Sequence, residues 1–439
     1  MVDQIAKKVF ELSKAEQTEI FFYDGVEALT RFGQNQITQN VESQSQKMSI
    51  RMLDKQKTAS IEISNFSEKT IKNAVDKLYQ ILQHQVEDER LQPLPENVDF
   101  KANDTIPESF KKLDENIRAE YVKKALYILN RQSISGAGIC SQSKYNVTHM
   151  TSKNYSHTFY DWKFAFSLSA KNEYGITREE FQGTTLDNFN IDKLANKCID
   201  SLNFSKEKDR IEANKYDIIF TPEAFAELIQ YLFYFSFSAK EFYEKTSFMA
   251  FKKGQQVFSP LLNIVNNPHA TDSPALYYDF EGSPTKVVKL VDKGYCNNLI
   301  SNRYFSKLLN IENTGNGFSP TTFDCFPINP EIEGGSRSLE QIIQSSDNAL
   351  LINRLHYLNI IDPINLTVTG MTRDGVYKIE KGKIKTTTNN LRFTESILTA
   401  LSNIEELSSD RQQCEWFIGF MKVPAVKIKQ FNFSSATDF

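Results

Sequence analysis

The sequence predicts an α+β protein: an N-terminal lobe of helix, antiparallel meander and helix, a middle meander with flanking helices, and a C-terminal β-rich, barrel-like domain around a buried central helix. Three observations carry this. Up to about residue 210 the plan helix, meander, helix occurs twice, with apolar residues three and four apart in the helices and alternating in the strands. From Asp217 onward, short apolar runs are punctuated by Gly and Asn, as the turns and bulges of a β-rich domain require. Finally, Thr221, Pro222 and Glu223 read as N-cap, first helical position and first turn of a helix whose Phe225, Leu228, Ile229, Leu232, Phe235 and Phe242 recur at spacings of three, four and seven.

The elements follow in order. Residues 2–14 form an amphipathic helix carrying Ile5, Val9, Phe10 and Leu12. Strands are expected at 18–23, 28–39, 46–53 and 58–63; in the last two, Met48, Ile50, Met52 and Ala59, Ile61, Ile63 alternate with polar residues, so each buries one face. A helix at 69–84 closes this unit. Residues 92–107, broken by Pro93, Pro95 and Pro107, mark a linker. A helix at 115–133, a second meander over 135–181 and a helix at 191–202 follow. In the C-terminal region further helices are expected at 302–309, 338–344 and 393–401. The last strand alternates Val426, Ile428 and Gln430 against Lys427, Lys429 and Phe431. The pair Asp374 and Gly375 marks a tight turn, and the GGSRS run at 334–338 reads as a helix start at Ser338, lacking the spacing of a phosphate-binding loop. The expected domains are 1–90, 91–210 and 211–439.

Composition narrows the function classes. A chain of 439 residues, 40% hydrophobic and 24% charged, is globular in character. Its net charge of −4 gives no global basic field for nucleic acid or an anionic membrane. The five cysteines, Cys140, Cys198, Cys296, Cys325 and Cys414, are far apart with no CxxC pair, which favours reduced thiols in a cytoplasmic compartment. No run of about 18 apolar residues and no N-terminal apolar core is present, so neither a membrane span nor a secretion signal is expected.

The candidate chemistry is sparse. No His lies between His157 and His269, so the central helix has none of the imidazoles with which a zinc site is built, and Glu227 within it reads as a surface or ion-pair residue. His149 and His157 flank a turn in the middle meander and face each other, without a third ligand nearby in sequence. Neither His269 nor His356 is given a catalytic role, and Cys414 reads as a buried structural thiol.

The phrases YDFEGSPT (278–285), KGYCNNLISNRYFSKLL (293–309) with NTGNG (313–317), GGSRSLEQII (334–343), LINRLHYLNIIDPINLTVTGMTRDGVYKIEKGKI (351–384), NLRFTES (390–396) and VPAVKIKQFNFSSAT (423–437) follow one another in the C-terminal region. Together they resemble the TldD/PmbA family, also labelled modulators of DNA gyrase. At the front, LTRFGQNQITQNVESQSQKMSIRM (29–52) extends the resemblance. It implies two-lobed α+β proteins that dimerise. TldD-type members are metalloproteases with HExxxH on the helix after the middle region and a C-terminal Cys ligand, near where Cys414 stands; they act on unfolded or peptide substrates. PmbA-type members, also called TldE, lack the motif and pair with the catalytic subunit. In this sequence the corresponding helix, 224–248, lacks both histidines. The expectation is therefore a non-catalytic TldE-like subunit with no catalytic, metal or cofactor-binding residues and no cofactor, partnered by a TldD-like metalloprotease or a second copy of itself, and meeting unfolded peptide. The alternatives are a stand-alone hydrolase with a relocated site using His149, His157 or Cys414, and a DNA gyrase-associated binder.

Overall fold

Helix α1 (Val2–Leu12) leads into β1 (Gln17–Gly33), β2 (Gln36–Asp54), β3 (Lys57–Ile63) and α2 (Glu68–Gln83). After the short α3 (Glu108–Lys111), α4 (Glu115–Asn130) precedes β4 (Ser135–Thr151), β5 (Ser156–Lys171), β6 (Ile176–Gly183) and α5 (Ile191–Phe204). This computed structural model describes residues 1–96, 106–319 and 322–437; the linker expected at 92–107 falls largely outside them.

The two meanders lie side by side in one antiparallel sheet, ordered β3-β2-β1-β4-β5-β6. The strand expected at 28–39 is instead two strands and a turn: Gln34 and Asn35 take φ of 49° and 60°, so the chain reverses between β1 and β2. A two-residue turn with both φ positive suits the strand twist, but Gln-Asn is a weaker signal than Asn-Gly. Helices α1 and α2 bury Ala6, Val9, Val75 and Leu78 against Ile20, Phe22, Met48, Ile50 and Met52. Helices α4 and α5 cover Phe164, Phe166 and Leu168 with Val122, Leu126, Ala195 and Cys198. Ser67 caps α2 and Asp114 caps α4, as short polar side chains ahead of helices do.

The remainder is one large mixed sheet. In chain order it comprises β7 (Lys208–Asp209), β8 (Lys215–Phe220), α6 (Pro222–Phe235), α7 (Ala239–Glu244), α8 (Met249–Lys252), β9 (Ile264–Asn266), β10 (Val288–Asp292), β11 (Tyr295–Cys296), α9 (Arg303–Leu309), β12 (Pro330–Ile332) and α10 (Leu339–Ser345). Then come β13 (Asn348–Ile352), β14 (Leu355–Asp362), β15 (Thr367–Thr372), β16 (Val376–Glu380), β17 (Lys383–Thr388), β18 (Leu391–Ser396), α11 (Ile397–Ser402), β19 (Ile404–Glu415) and β20 (Phe420–Ala436). β8 lies between β20, antiparallel, and β13, parallel.

Three expectations shift here. The central helix stops at Phe235: Ser238 caps a new helix, α7, with its hydroxyl accepting from Lys240 N–H at 3.1 Å. The residues expected to open a helix at 393 continue β18, and Ser396 caps the helix that follows. The alternation of the last strand slips at Gln430, whose φ of 56° makes a bulge, so Phe431 joins Val426 and Ile428 in the core. Ser338 does cap α10, in a reciprocal capping box with Gln341. Asp374 and Gly375 do turn the chain, with φ of 54° and 137°. No helix among the described residues is long and apolar enough to cross a membrane.

Candidate functional site

The apolar run Ile218–Phe220, buried within the sheet, delivers the chain to Thr221 at its end. The Thr221 hydroxyl accepts from Ala224 N–H at 3.4 Å, and Pro222 starts α6. Phe225, Leu228, Ile229, Leu232 and Phe233 then vanish into the core, each contributing roughly 1.5–3 kcal/mol of transfer free energy. This anchoring fixes Glu223 and Glu227, one turn apart on the same face, beside β19 and a polar pocket of about 240 Å³.

Four carboxylates line that pocket, Glu179 and Glu180 from β6 and Glu223 and Glu227 from α6, together with Arg178, Lys197 and Arg354. Lys197 Nζ lies 2.7 Å from Glu179, Arg178 pairs with Glu180, and Arg354 Nε is 3.4 Å from Glu227. Glu227 also accepts Leu355 N–H. Glu223 accepts only a neutral donor, Gln412 Nε2, at 2.9 Å. Burial raises Glu227 to about 7 against the pull of Leu355 N–H and Arg354, and burial likewise lifts Glu179 to about 7 despite Lys197.

On the far side of residues 412–415 a second cavity opens between the lobes, about 430 Å³ in volume. Tyr23, Tyr145, Phe159 and Tyr160 wall it from the N-terminal sheet; Leu276, Phe280, Phe318, Trp416, Phe417 and Phe420 wall it from the other lobe. The rings of Phe159 and Phe280 meet across it at 5.3 Å. Phe417, 52% exposed, packs edge-on against Tyr231 and Tyr234 of α6 at 5.5 Å each. The rim is tied by Lys163 to Glu415 at 2.6 Å and by Glu415 N–H to Gln182 Oε1 at 2.6 Å.

A strand edge lies open in this cleft. β6 pairs with β5 only from Phe164 to Lys171, so residues 156–163 of β5 have β4 on one side and no strand on the other among the described residues. Phe159, Tyr160, Asp161 and Lys163 of that segment line the cavity. A sheet edge with no strand on its outer side is what an extended peptide adds to.

His149 and His157 are register partners across β4 and β5, as the sequence suggests, but both are buried in the contact between lobes. His149 Nε2 lies 2.9 Å from Glu19 and its ring stacks on Phe21 at 4.0 Å. His157 meets Phe159 and Tyr278, and burial plus the neighbouring His149 push it down to about 4. Glu19 itself pairs with Arg51. The YDFEGSPT phrase supplies the opposing wall: Gly282 takes φ of 75°, and Asp279 accepts N–H groups of Glu281, Ser283 and Gly317 at 2.8–3.0 Å. Cys414 is buried beside α6, and burial followed by Glu223, Glu180 and Glu227 pushes its thiol well above the usual range.

The sequence profile described as PmbA/TldA metallopeptidase C-terminal domain matches residues 213–435, just over half the chain. This chain belongs to the PmbA/TldD family. A metalloprotease PmbA homolog from Buchnera aphidicola subsp. Baizongia pistaciae is 24% identical over 211 residues, 47% of this chain and 45% of that protein. A zinc metalloprotease TldD homolog from Saccharolobus solfataricus is 26% identical over 170 residues, 36% of each. The matched stretch thus spans less than half the length of these curated relatives. In fold, TldE from Thermococcus kodakarensis superposes with a TM-score of 0.86 over 99% of both chains at 18% identity.

A zinc ion, which the family implies, can be tested against these donors. α6 offers no imidazole or thiol; Glu223 is engaged by Gln412, and Glu227 by Arg354 and Leu355 N–H. Cys414 is a buried, neutral thiol. Among the described residues no group of three His, Cys, Asp or Glu is placed to hold a metal. The residues present do not fit a zinc ion, which takes at least three such ligands. The sequence exposes the missing histidines, whereas the charge lattice around Glu223 comes from β6, α5 and the segment after β13, too far apart in the chain to be seen in advance.

Proposed function

We propose that this chain is a metal-free, non-catalytic TldE-like subunit that joins a TldD-type metalloprotease and holds an extended peptide in the cleft between its lobes. The observation carrying this reading is that α6, the helix that the resemblance aligns with HExxxH, has no imidazole and sets its Glu223 and Glu227 among Lys197, Arg354 and the Gln412 amide. The stretch 159–163 of β5, which has no strand on its outer side among the described residues and lies beside aromatic walls, supports the peptide role. Five free, buried cysteines support a reducing, cytoplasmic setting.

The test mixes the purified chain with a TldD-type relative carrying HExxxH. Co-elution and a changed peptidase rate are expected; separate elution with an unchanged rate would sink the proposal. A plug variant addresses the peptide directly. Gly419 lines the cleft and a Cβ built there meets nothing within 4 Å, so Gly419→Trp is expected to fold with a stability change within about 0.5 kcal/mol. It should weaken binding of an unstructured aromatic peptide by about tenfold or more. Unchanged affinity in titration calorimetry would move the peptide site elsewhere.

A further inference from the structure

We infer that the polar pocket beside α6 binds a primary ammonium group, either a lysine side chain or the α-amine of a peptide. Of four lining carboxylates, three have a cation, namely Lys197 for Glu179, Arg178 for Glu180 and Arg354 for Glu227. Glu223 has none within ion-pair distance, though the Lys197 charge reaches it, and its hydrogen bond comes from the Gln412 amide. Arg354 is moreover shared, lying 3.4 Å from Asp374 outside the pocket. The cavity of about 240 Å³ therefore has one more carboxylate than it has cations, and it has room for an alkylammonium head.

A second observation points the same way. Glu179 is 5% exposed, lines the cavity, and its Oε1 has no hydrogen-bond partner among the described residues. A buried carboxylate oxygen without a donor has lost its water and gained nothing in return. An ammonium group offers three N–H donors and the missing charge at once, whereas an anion would meet four carboxylates. A guanidinium offers the same charge, but its planar fork calls for a carboxylate presenting both oxygens, and Glu179, Glu180 and Glu227 already give one or both of theirs to cations.

This inference deepens the peptide reading, since Gln412 and Glu415 of one strand border the pocket and the cleft respectively, and it is tested so that the two fail separately. Three five-residue peptides are titrated into the full chain: N-acetylated with one lysine, lysine-free with a free amino terminus, and lysine-free with an acetylated terminus. At least one amine-bearing peptide is expected to bind about tenfold tighter than the amine-free one, and which one does so identifies the source of the amine. Glu223→Gln, which keeps shape and removes the surplus carboxylate, should erase the preference, and Gln412→Glu should sharpen it. Equal binding of all three peptides, or a preference that survives Glu223→Gln in a folded variant, overturns the inference. If no peptide binds, the peptide reading falls; n-butylamine then decides the pocket alone, supporting it if binding is lost in Glu223→Gln and overturning it if wild type does not bind.

Discussion

Replacing Glu19 by Ala is expected to destabilise the protein by about 3–5 kcal/mol, the range found when one partner of a buried ion pair is removed. Glu19 on β1 and Arg51 on β2 are register partners, and their side chains are 1% and 7% exposed. His149, reaching across from β4, gives Glu19 a second contact at 2.9 Å. Without the carboxylate, the Arg51 guanidinium stays buried with its counter-ion gone. The same group predicts an acid response. Burial opposes ionisation of Glu19, but Arg51 and His149 more than offset it and hold the carboxyl at about 2. The folded value thus lies below the unfolded 4.5, so the contribution is fully present above pH 4.5 and drains away between 4.5 and about 2. It amounts to about 3 kcal/mol on the linkage relation. Urea unfolding midpoints measured across that window should fall for the wild type, and the part due to Glu19 should be missing in Glu19→Gln. A Glu19→Ala midpoint equal to wild type at pH 7 would show that the pair contributes nothing.

Phe225→Ala should cost a further 3–5 kcal/mol or so, the usual range for deleting a fully buried ring. Phe225 is completely buried on α6 in the largest core, with Ile218, Phe220 and Ile229 in the same cluster. β8 and β20 are held in pleat and register behind it, so the cavity cannot collapse without moving the sheet. Phe225→Leu, which keeps most of the volume, is expected to lose far less. Equal losses for the two would mean that cavity formation is not the cause.

Local chemistry was legible and long-range pairing was not. Thr221, Pro222 and Ser338 announce their helices because a cap is decided within four residues. Gln34–Asn35 and Gln430 are hidden from a sequence reading because each takes positive φ without a glycine to advertise it. The joining of the two meanders rests on β1 meeting β4, a pairing of residue 19 with 151 that no periodicity encodes. At the site, the absent histidines of α6 are plain in the sequence. That Glu179, Lys197, Glu223 and Arg354 enclose one cavity depends on four separate elements converging.

That same pairing of β1 with β4 dictates an order of events as the chain leaves the ribosome. The β1–β2 ribbon needs only its two-residue turn and can close as soon as residue 54 is free. The central seam of the sheet must wait for residue 151, and β8 must wait for β20, some two hundred residues later. Contacts of such sequence separation fold slowly. Until β20 arrives, one flank of the apolar strand at 218–220 stays without its neighbour, so the nascent chain should lean on chaperones until its last strand emerges.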